Sequence, residues 1–199
     1  MQGSRSGQRA DCTLISRDRA GLSFIVRHSS NPQPTVTVDV VGADGGIRQT
    51  LVEQVDTSAG KPTLLELSDD GRDQLIVPLR TGTANTTYAV YRATDSAPDF
   101  VRAGEIIGVG VDRTASGYVV GNLRGSPAGR NSYTSFWRFL GSQLHLVAAT
   151  KTTVNPAGPN TCTIDDADEG GHGKAPKVTE PALAQRFCAE EILRAAPVQ

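Results

Sequence analysis

Apolar and polar residues alternate in short runs along most of the chain, and Gly, Pro, Asn, Asp or Ser residues separate the runs. Alternation with a period of two is typical of β-strands that are buried on one face. A clear example is TVTVDVV at Thr35–Val41, which the turn sequence GADGG follows. The runs that predict strands are Cys12–Ser16, Leu22–Arg27, Thr35–Val41, Ile47–Val55, Pro62–Leu67, Gln74–Leu79, Thr86–Ala93, Asp99–Glu105, Ile106–Val111, Tyr118–Leu123, Tyr133–Leu140 and Gln143–Val147.

These runs recur at a nearly constant spacing. Leu22, Leu64 and Ile106 lie 42 positions apart (64 − 22 and 106 − 64), and TYAVYRA at 87–93 matches YTSFWRF at 133–139. A four-stranded unit that recurs every 40–45 residues or so is typical of propeller blades. We therefore predict an all-β, antiparallel fold of about three four-stranded units, in a propeller-like or sandwich-like arrangement. An accidental spacing of strands is the alternative.

The pattern changes near residue 154. The segment Asn155–Val178 is rich in Pro, Gly and acidic residues and predicts a loop. Thr179 is the candidate N-cap of a helix that begins at Glu180–Pro181. An apolar stripe runs along this helix, at Leu183, Phe187 and Ile192. We expect residues 154–199 to be a loop and a helix that pack on one edge or end of a β domain formed by 1–153.

Charge and composition exclude some classes of partner. Twenty Lys and Arg residues against twenty-one Asp and Glu residues give a net charge of −1, and the pI is near 6.3. A chain so balanced has no general attraction for nucleic acid or for anionic membranes. No apolar run approaches the roughly 18 residues of a transmembrane helix, so we expect neither nucleic acid nor membrane as a partner. The N-terminal sequence MQGSRSGQRADC lacks the apolar region of a signal peptide.

Three cysteines allow one disulfide and one free thiol. We favour Cys162–Cys188, which would link the loop to the helix and stabilise the fold by roughly 3 kcal/mol through loop closure. A Cys12–Cys188 bond and three reduced cysteines are the alternatives.

Two acidic segments are weighed as cation sites. Glu66–Gln74 places oxygen ligands at alternate positions before Gly71, as the calcium loops of FG-GAP-type propellers do. Gln74, however, stands where a carboxylate is usual, and a polar β-turn accounts for the same residues. The segment Asp165–His172 is typical of a flexible, solvated acidic loop. We therefore predict no metal and no cofactor, and leave calcium at the Glu66–Asp70 turn open.

No motif marks a catalytic centre. The histidines, His28, His145 and His172, are far apart in the sequence, and no G-x-S-x-G motif is present. Gly108-Val109-Gly110 is not a dinucleotide fingerprint, because Arg113 stands where the third glycine belongs. We predict no catalytic residue and no enzyme, with a small hydrolase as an alternative.

The polar stretch Arg124–Ser132 between two predicted strands is the best candidate site. Arg and Tyr are favoured at protein interfaces because they bring a large contact area and hydrogen bonds at a modest entropic cost. The predicted partner-binding residues are Arg124, Ser126, Arg130, Asn131 and Tyr133. The alternative is an ordinary hairpin loop in which Tyr133 faces the core. Trp137 and Tyr91, at equivalent positions of the repeat, are predicted to be core residues.

The segment Asp69–Val147 resembles the degenerate propeller-like proteins that bacteria export to the periplasm. The resemblance lies in a DG turn before a strand (70–71), a Y-x-V-Y strand (88–91) and an aromatic-Arg strand before LHLV (144–147). Members of that family are immunity proteins against cell-wall-degrading effectors of type VI-like secretion systems, and they are similar to periplasmic lysozyme inhibitors.

The resemblance implies a periplasmic inhibitor whose partner is a cognate effector enzyme. In such proteins an exposed loop before the last hairpin enters and blocks the cleft of the hydrolase, and the matching positions here are Gly125–Tyr133. A carbohydrate- or peptidoglycan-binding module is the alternative, and it would require exposed aromatic platforms.

Overall fold

The computed structural model describes residues 11–17, 19–30, 32–94, 97–125 and 130–193. These residues form fourteen strands and one short helix. The elements are β1 (Cys12–Ile15), β2 (Ser23–Ser29), β3 (Thr35–Val41), β4 (Ile47–Gln54), β5 (Thr63–Leu65), β6 (Gln74–Thr81), β7 (Thr86–Thr94), β8 (Ala97–Gly108), β9 (Val111–Thr114), β10 (Val119–Arg124), β11 (Asn131–Leu140), β12 (Gln143–Thr153), β13 (Thr161–Ile164), α1 (Pro181–Cys188) and β14 (Ile192–Leu193).

The strands form three antiparallel sheets. The first sheet has the order β1-β2-β3-β4 and the second β5-β6-β7-β8. The third has the order β13-β12-β11-β10-β9-β14, so five consecutive strands, β9 to β13, carry β14 on the β9 edge. All pairings between neighbouring strands are antiparallel. The predicted all-β, antiparallel class with one C-terminal helix is confirmed.

The alternation in TVTVDVV sets which face of β3 enters the core. Val36, Val38 and Val40 are almost completely buried, while Thr37 points to the other face. The strand ends at the predicted turn, where Gly45 has φ 77°, a conformation that glycine adopts without steric cost. The period-two pattern therefore specifies both the strand and its buried side.

The three sheets pack in series through two apolar cores. The first core joins the inner face of the first sheet to one face of the second, and Phe24 and Phe100 meet edge to face in it with ring centroids 5.2 Å apart. The second core joins the other face of the second sheet to the third sheet. Tyr91 is buried in the first core and Trp137 packs against the second, as predicted.

The helix covers the outer face of the third sheet. Phe187, on α1, is buried against Tyr118 and Phe136, with ring centroids 5.4 and 5.1 Å away. A disulfide between Cys162 and Cys188 ties β13 to the end of the helix and closes 26 residues, which confirms the favoured pairing. Cys12 is a free, half-buried thiol.

Several predicted boundaries are wrong, at the end of the second sheet and in the C-terminal segment. The two strands predicted over Asp99–Val111 are instead one long strand, β8, followed by β9. The segment predicted as an unbroken loop contains β13, which pairs with β12. The N-cap of α1 is Glu180 rather than Thr179. The helix ends at Cys188, so Ile192 lies in β14, where it pairs with Thr114 instead of extending the helical stripe.

Candidate functional site

Arg124 and Arg130 stand at the two ends of the predicted binding loop. Arg124 is the last residue of β10, and Arg130 immediately precedes β11. Both residues are exposed. Ser126, the third predicted contact, lies outside the described residues together with 127–129.

Backbone hydrogen bonds fix the base of this loop. Gly125 N–H donates to the carbonyl oxygen of Asn131 at 3.1 Å, which closes the hairpin. On the far side, Val154 N–H donates to the carbonyl of Arg130 at 2.7 Å. The Thr153 hydroxyl donates to Asn131 Oδ1 at 2.9 Å, so Asn131 is a structural residue of the base. The two arginines are therefore attached to backbone whose position is already set before any partner binds.

A second sheet supports the same base. Asn85 lies in the turn between β6 and β7, and its side chain bonds the backbone of Arg124 twice. This pairing connects the second sheet to the third at the point where the loop leaves β10. Nothing in the sequence marks Asn85 as a partner of Arg124, because 39 residues separate the two.

Neither guanidinium has a hydrogen-bonding or ion-pair partner among the residues that the structure describes. Other arginines are used internally: Arg102 pairs with Glu53 and Glu105 at 2.7 Å. Since a surface arginine that is already ion-paired has less to offer an incoming group, Arg124 and Arg130 are the better candidates for contact with another molecule.

Tyr133 is not an exposed interface anchor. Its exposed fraction is 8%, and its hydroxyl donates to Glu169 Oε2 across 3.4 Å. The alternative considered from the sequence, a Tyr133 that faces inward, therefore describes its side chain better. The residue forms a wall beside the loop rather than a projecting contact.

Residues 165–173, the cover loop, bury Tyr133. Asp165 is itself buried, and its carboxylate accepts the backbone N–H groups of Glu169 and Gly170 at 3.0 Å each. Asp168 adopts φ 55° and accepts Gly173 N–H at 3.1 Å. These hydrogen bonds between side chains and backbone give the segment a defined turn structure. It is therefore not the flexible, solvated loop that its acidity predicted.

His172 lies inside the cover loop as a buried imidazole. Its exposed fraction is 8%, and both ring nitrogens lack a hydrogen-bonding partner within the described ranges. Burial lowers the pKa of His172 below its ordinary value, although the charges of Asp168 and Asp165 partly oppose the shift. A Cβ at Gly170 would lie 2.6 Å from His172 Nε2, so only glycine allows the imidazole this position.

Glu169 links the cover loop to the third sheet. Lys151 Nζ, on β12, donates to Glu169 Oε2 at 2.5 Å. The hydrogen bond from Lys151 to this carboxylate holds the pKa of the lysine above its ordinary value. Sequence reasoning missed both residues, because the charges are brought together only by the pairing of β13 with β12.

An open pocket of about 490 Å³ lies at the base of the loop and is called here the Arg124 pocket. The turn between β6 and β7, the end of β10, Tyr133 and the cover loop supply its walls. The lining residues are Gly82, Thr83, Ala84, Asn85, Leu123, Arg124, Gly125, Tyr133 and Glu169. Of the predicted site residues, Arg124 and Tyr133 line this pocket.

In the turn that resembles a calcium loop, two aspartate carboxylates are paired with arginine side chains. Arg92 Nη2 donates to Asp70 Oδ2 at 2.5 Å, and Arg113 Nη1 donates to Asp69 Oδ1 at 3.0 Å. Burial alone would raise the pKa of Asp70, but hydrogen bonds, chiefly from Arg92, outweigh it and lower that pKa. Across the described part of the chain, no group of three His, Cys, Asp or Glu side chains is arranged to hold a metal ion.

No protein-family model, curated protein or solved structure matches this chain. Among the described residues, no helix has the length and apolarity needed to cross a membrane.

Proposed function

We propose that this protein is a periplasmic immunity or inhibitor protein that binds a bacterial effector enzyme, a cell-wall hydrolase, and occludes its active site. The observation that carries the proposal is the anchored base of the loop, which presents two exposed arginines without an ion-pair partner among the described residues. Binding through such a segment costs little conformational entropy, because the backbone at both ends is ordered in advance.

Aromatic burial favours an inhibitor over a carbohydrate-binding module. All ten aromatic residues (one Trp, four Tyr and five Phe) lie in the described part of the chain, and each is buried or half-buried. Sugar rings are bound by stacking on exposed aromatic faces, so this surface offers them little. A loop flanked by two exposed arginines is better suited to hydrogen-bonding and charge contacts with a protein.

The disulfide supports a location outside the cytoplasm. Such bonds persist in oxidising compartments and are rare where thiols are kept reduced. Because Cys162–Cys188 connects the helix to the edge of the third sheet, we expect its loss to loosen the packing of Phe187 on Tyr118 and Phe136. A periplasmic location agrees with a need for this bond.

The test is inhibition of peptidoglycan hydrolysis. The purified protein is used to capture proteins from an envelope extract, and each captured hydrolase is then assayed on a peptidoglycan suspension by the fall in turbidity. We expect the protein to slow a captured hydrolase in a saturable, one-to-one manner. Hydrolysis that is unaffected at saturation excludes the inhibitor function, and hydrolysis by this protein alone supports the hydrolase alternative.

A further inference from the structure

We propose that the Arg124 pocket receives a carboxylate side chain, Asp or Glu, from an acidic segment of the partner protein. The inference rests on the proposed function and adds the pocket as a second contact surface for the partner, besides the loop. The pocket beside the base of the loop accepts a group that projects from the partner.

Charge is the first argument. Among the described residues that line the pocket, Glu169 alone carries a carboxylate, and Lys151 at 2.5 Å already neutralises it. Arg124 contributes a guanidinium that no described carboxylate pairs with, and the exposed Arg130 adds a positive charge at the other end of the loop. Arg124 is therefore a positive charge at the pocket without an ion-pair partner among the described residues. Such a charge attracts an acidic group.

Rigidity is the second argument. The backbone of Arg124 is bonded on one side to the Asn85 side chain, at 2.9 Å in both directions. The opposite wall is set by Asp165, which fixes the Glu169 and Gly170 backbone without help from the Glu169 side chain. The walls thus keep their spacing when the pocket is empty, as a preformed recognition site requires.

Shape selects a protein as the source of the carboxylate. The pocket is open, so it covers only part of whatever enters it, and one guanidinium holds a small free anion weakly in contact with water. An acidic side chain on a folded partner gains further contacts from the described surface around the pocket, such as the exposed Arg130, whereas a sugar acid finds no exposed aromatic ring to stack on. We therefore assign the pocket to an acidic protein segment.

The test is an NMR titration of the ¹⁵N-labelled protein with an N-acetylated, amidated peptide, GDGEG. Its neutral counterpart, GNGQG, reports contacts that do not need charge, and N-acetylmuramic acid represents a sugar acid. We expect GDGEG to shift the amide signals of Thr83, Asn85, Arg124 and Gly125 in a saturable way. GNGQG should leave them unchanged, and N-acetylmuramic acid should bind more weakly than the peptide.

Three variants separate the pocket from the general charge of the protein. Arg124→Gln should weaken binding of GDGEG by about two- to fivefold, the range for one exposed charge pair. Glu169→Gln should strengthen it by a similar factor of about two to five, because Lys151 is released from its partner. Arg19→Gln, at an exposed arginine in the turn between β1 and β2, carries the same charge change as Arg124→Gln and should have no effect.

Other results overturn the inference. These are the absence of any shift with GDGEG, equal shifts with GNGQG, tighter binding of N-acetylmuramic acid, or an equal loss with Arg19→Gln. The proposed inhibitor function is tested separately by Arg130→Ala, because Arg130 does not line the pocket. If inhibition depends on Arg130 while Arg124→Gln and Glu169→Gln leave peptide binding unchanged, the function stands and the pocket assignment fails.

Discussion

The carboxamide of Asn85, in a turn of the second sheet, forms two hydrogen bonds with the backbone of Arg124 in the third sheet. Asn85 Oδ1 accepts the Arg124 N–H and Asn85 Nδ2 donates to the Arg124 carbonyl, and each bond is 2.9 Å long. The arrangement imitates one step of a β-ladder with a side chain. It positions the arginine at the edge of the pocket without using the guanidinium.

Asn85→Ala removes both bonds, so we expect the free energy of unfolding to fall by about 1–2 kcal/mol. Chemical denaturation measures this loss, and partner affinity should decrease as well because Arg124 is no longer held. Thr83→Ala, at an exposed position of the same turn, is the control for stability and should leave the free energy of unfolding unchanged. If Asn85→Ala has the free energy of unfolding and the partner affinity of the wild type, the two hydrogen bonds contribute to neither.

Gly170→Ala tests the packing of the cover loop. The added Cβ would lie 2.6 Å from His172 Nε2 and 3.0 Å from Tyr133 Cβ, so the imidazole must move. We expect a destabilisation of about 1–3 kcal/mol, typical of overpacking, and faster amide hydrogen exchange across residues 165–173. Gly110→Ala, where nothing lies within 4 Å of the new methyl group, should behave as the wild type. Unchanged exchange in the Gly170 variant would contradict this packing.

The disulfide should stabilise the region of the helix. Replacing Cys162 and Cys188 with Ser removes the closure of a loop of 26 residues, and we expect a loss of about 3 kcal/mol. Hydrogen exchange should show the largest loss of protection in α1 and β13, with the first sheet least affected. The single variant Cys12→Ala retains the disulfide and is the control. Uniform loss of protection across all three sheets would mean that the helix unfolds only with the whole domain.

His172 should make stability depend on pH. Because burial lowers its pKa below the ordinary value of 6.5, the unfolded chain takes up a proton at a higher pH than the folded chain does. The free energy of unfolding should therefore be highest above pH 6.5 and should fall as the pH decreases below it. Denaturation curves measured between pH 8 and pH 5 test this.

His172→Leu should flatten that part of the pH profile, since the unfolded state loses its extra proton. The same change at His145, an exposed residue of β12, is the matched control and should leave the slope in place. An identical slope in His172→Leu and the wild type would contradict the assignment to His172.

Local patterns predicted the sheets well, because strand pairing here is mostly between neighbours in the sequence. Thr35–Val41 is a strand with the predicted bounds, and Gly141 turns at φ 60° between β11 and β12 as the hairpin pattern indicates. The short strand β13 has no comparable pattern, since its four residues become a strand only by pairing with β12.

The surroundings of the candidate site could be predicted only in part for the same reason. The arginines at the ends of the loop follow from composition and position along the chain. The burial of Tyr133 does not, because its cover comes from Glu169 and Gly170, more than thirty positions later. Asn85 and Lys151 likewise acquire their roles from neighbouring strands and turns, which a one-dimensional pattern does not show.

The most direct measurement is the dissociation constant of a captured hydrolase for wild type, Arg130→Ala and Arg19→Ala, determined by isothermal titration calorimetry. Both substitutions remove one exposed arginine, but only Arg130 borders the loop. We expect Arg130→Ala to weaken binding by at least about 1 kcal/mol, roughly fivefold, while Arg19→Ala binds as tightly as the wild type. Equal affinities for all three proteins would contradict the claim that this loop forms the contact.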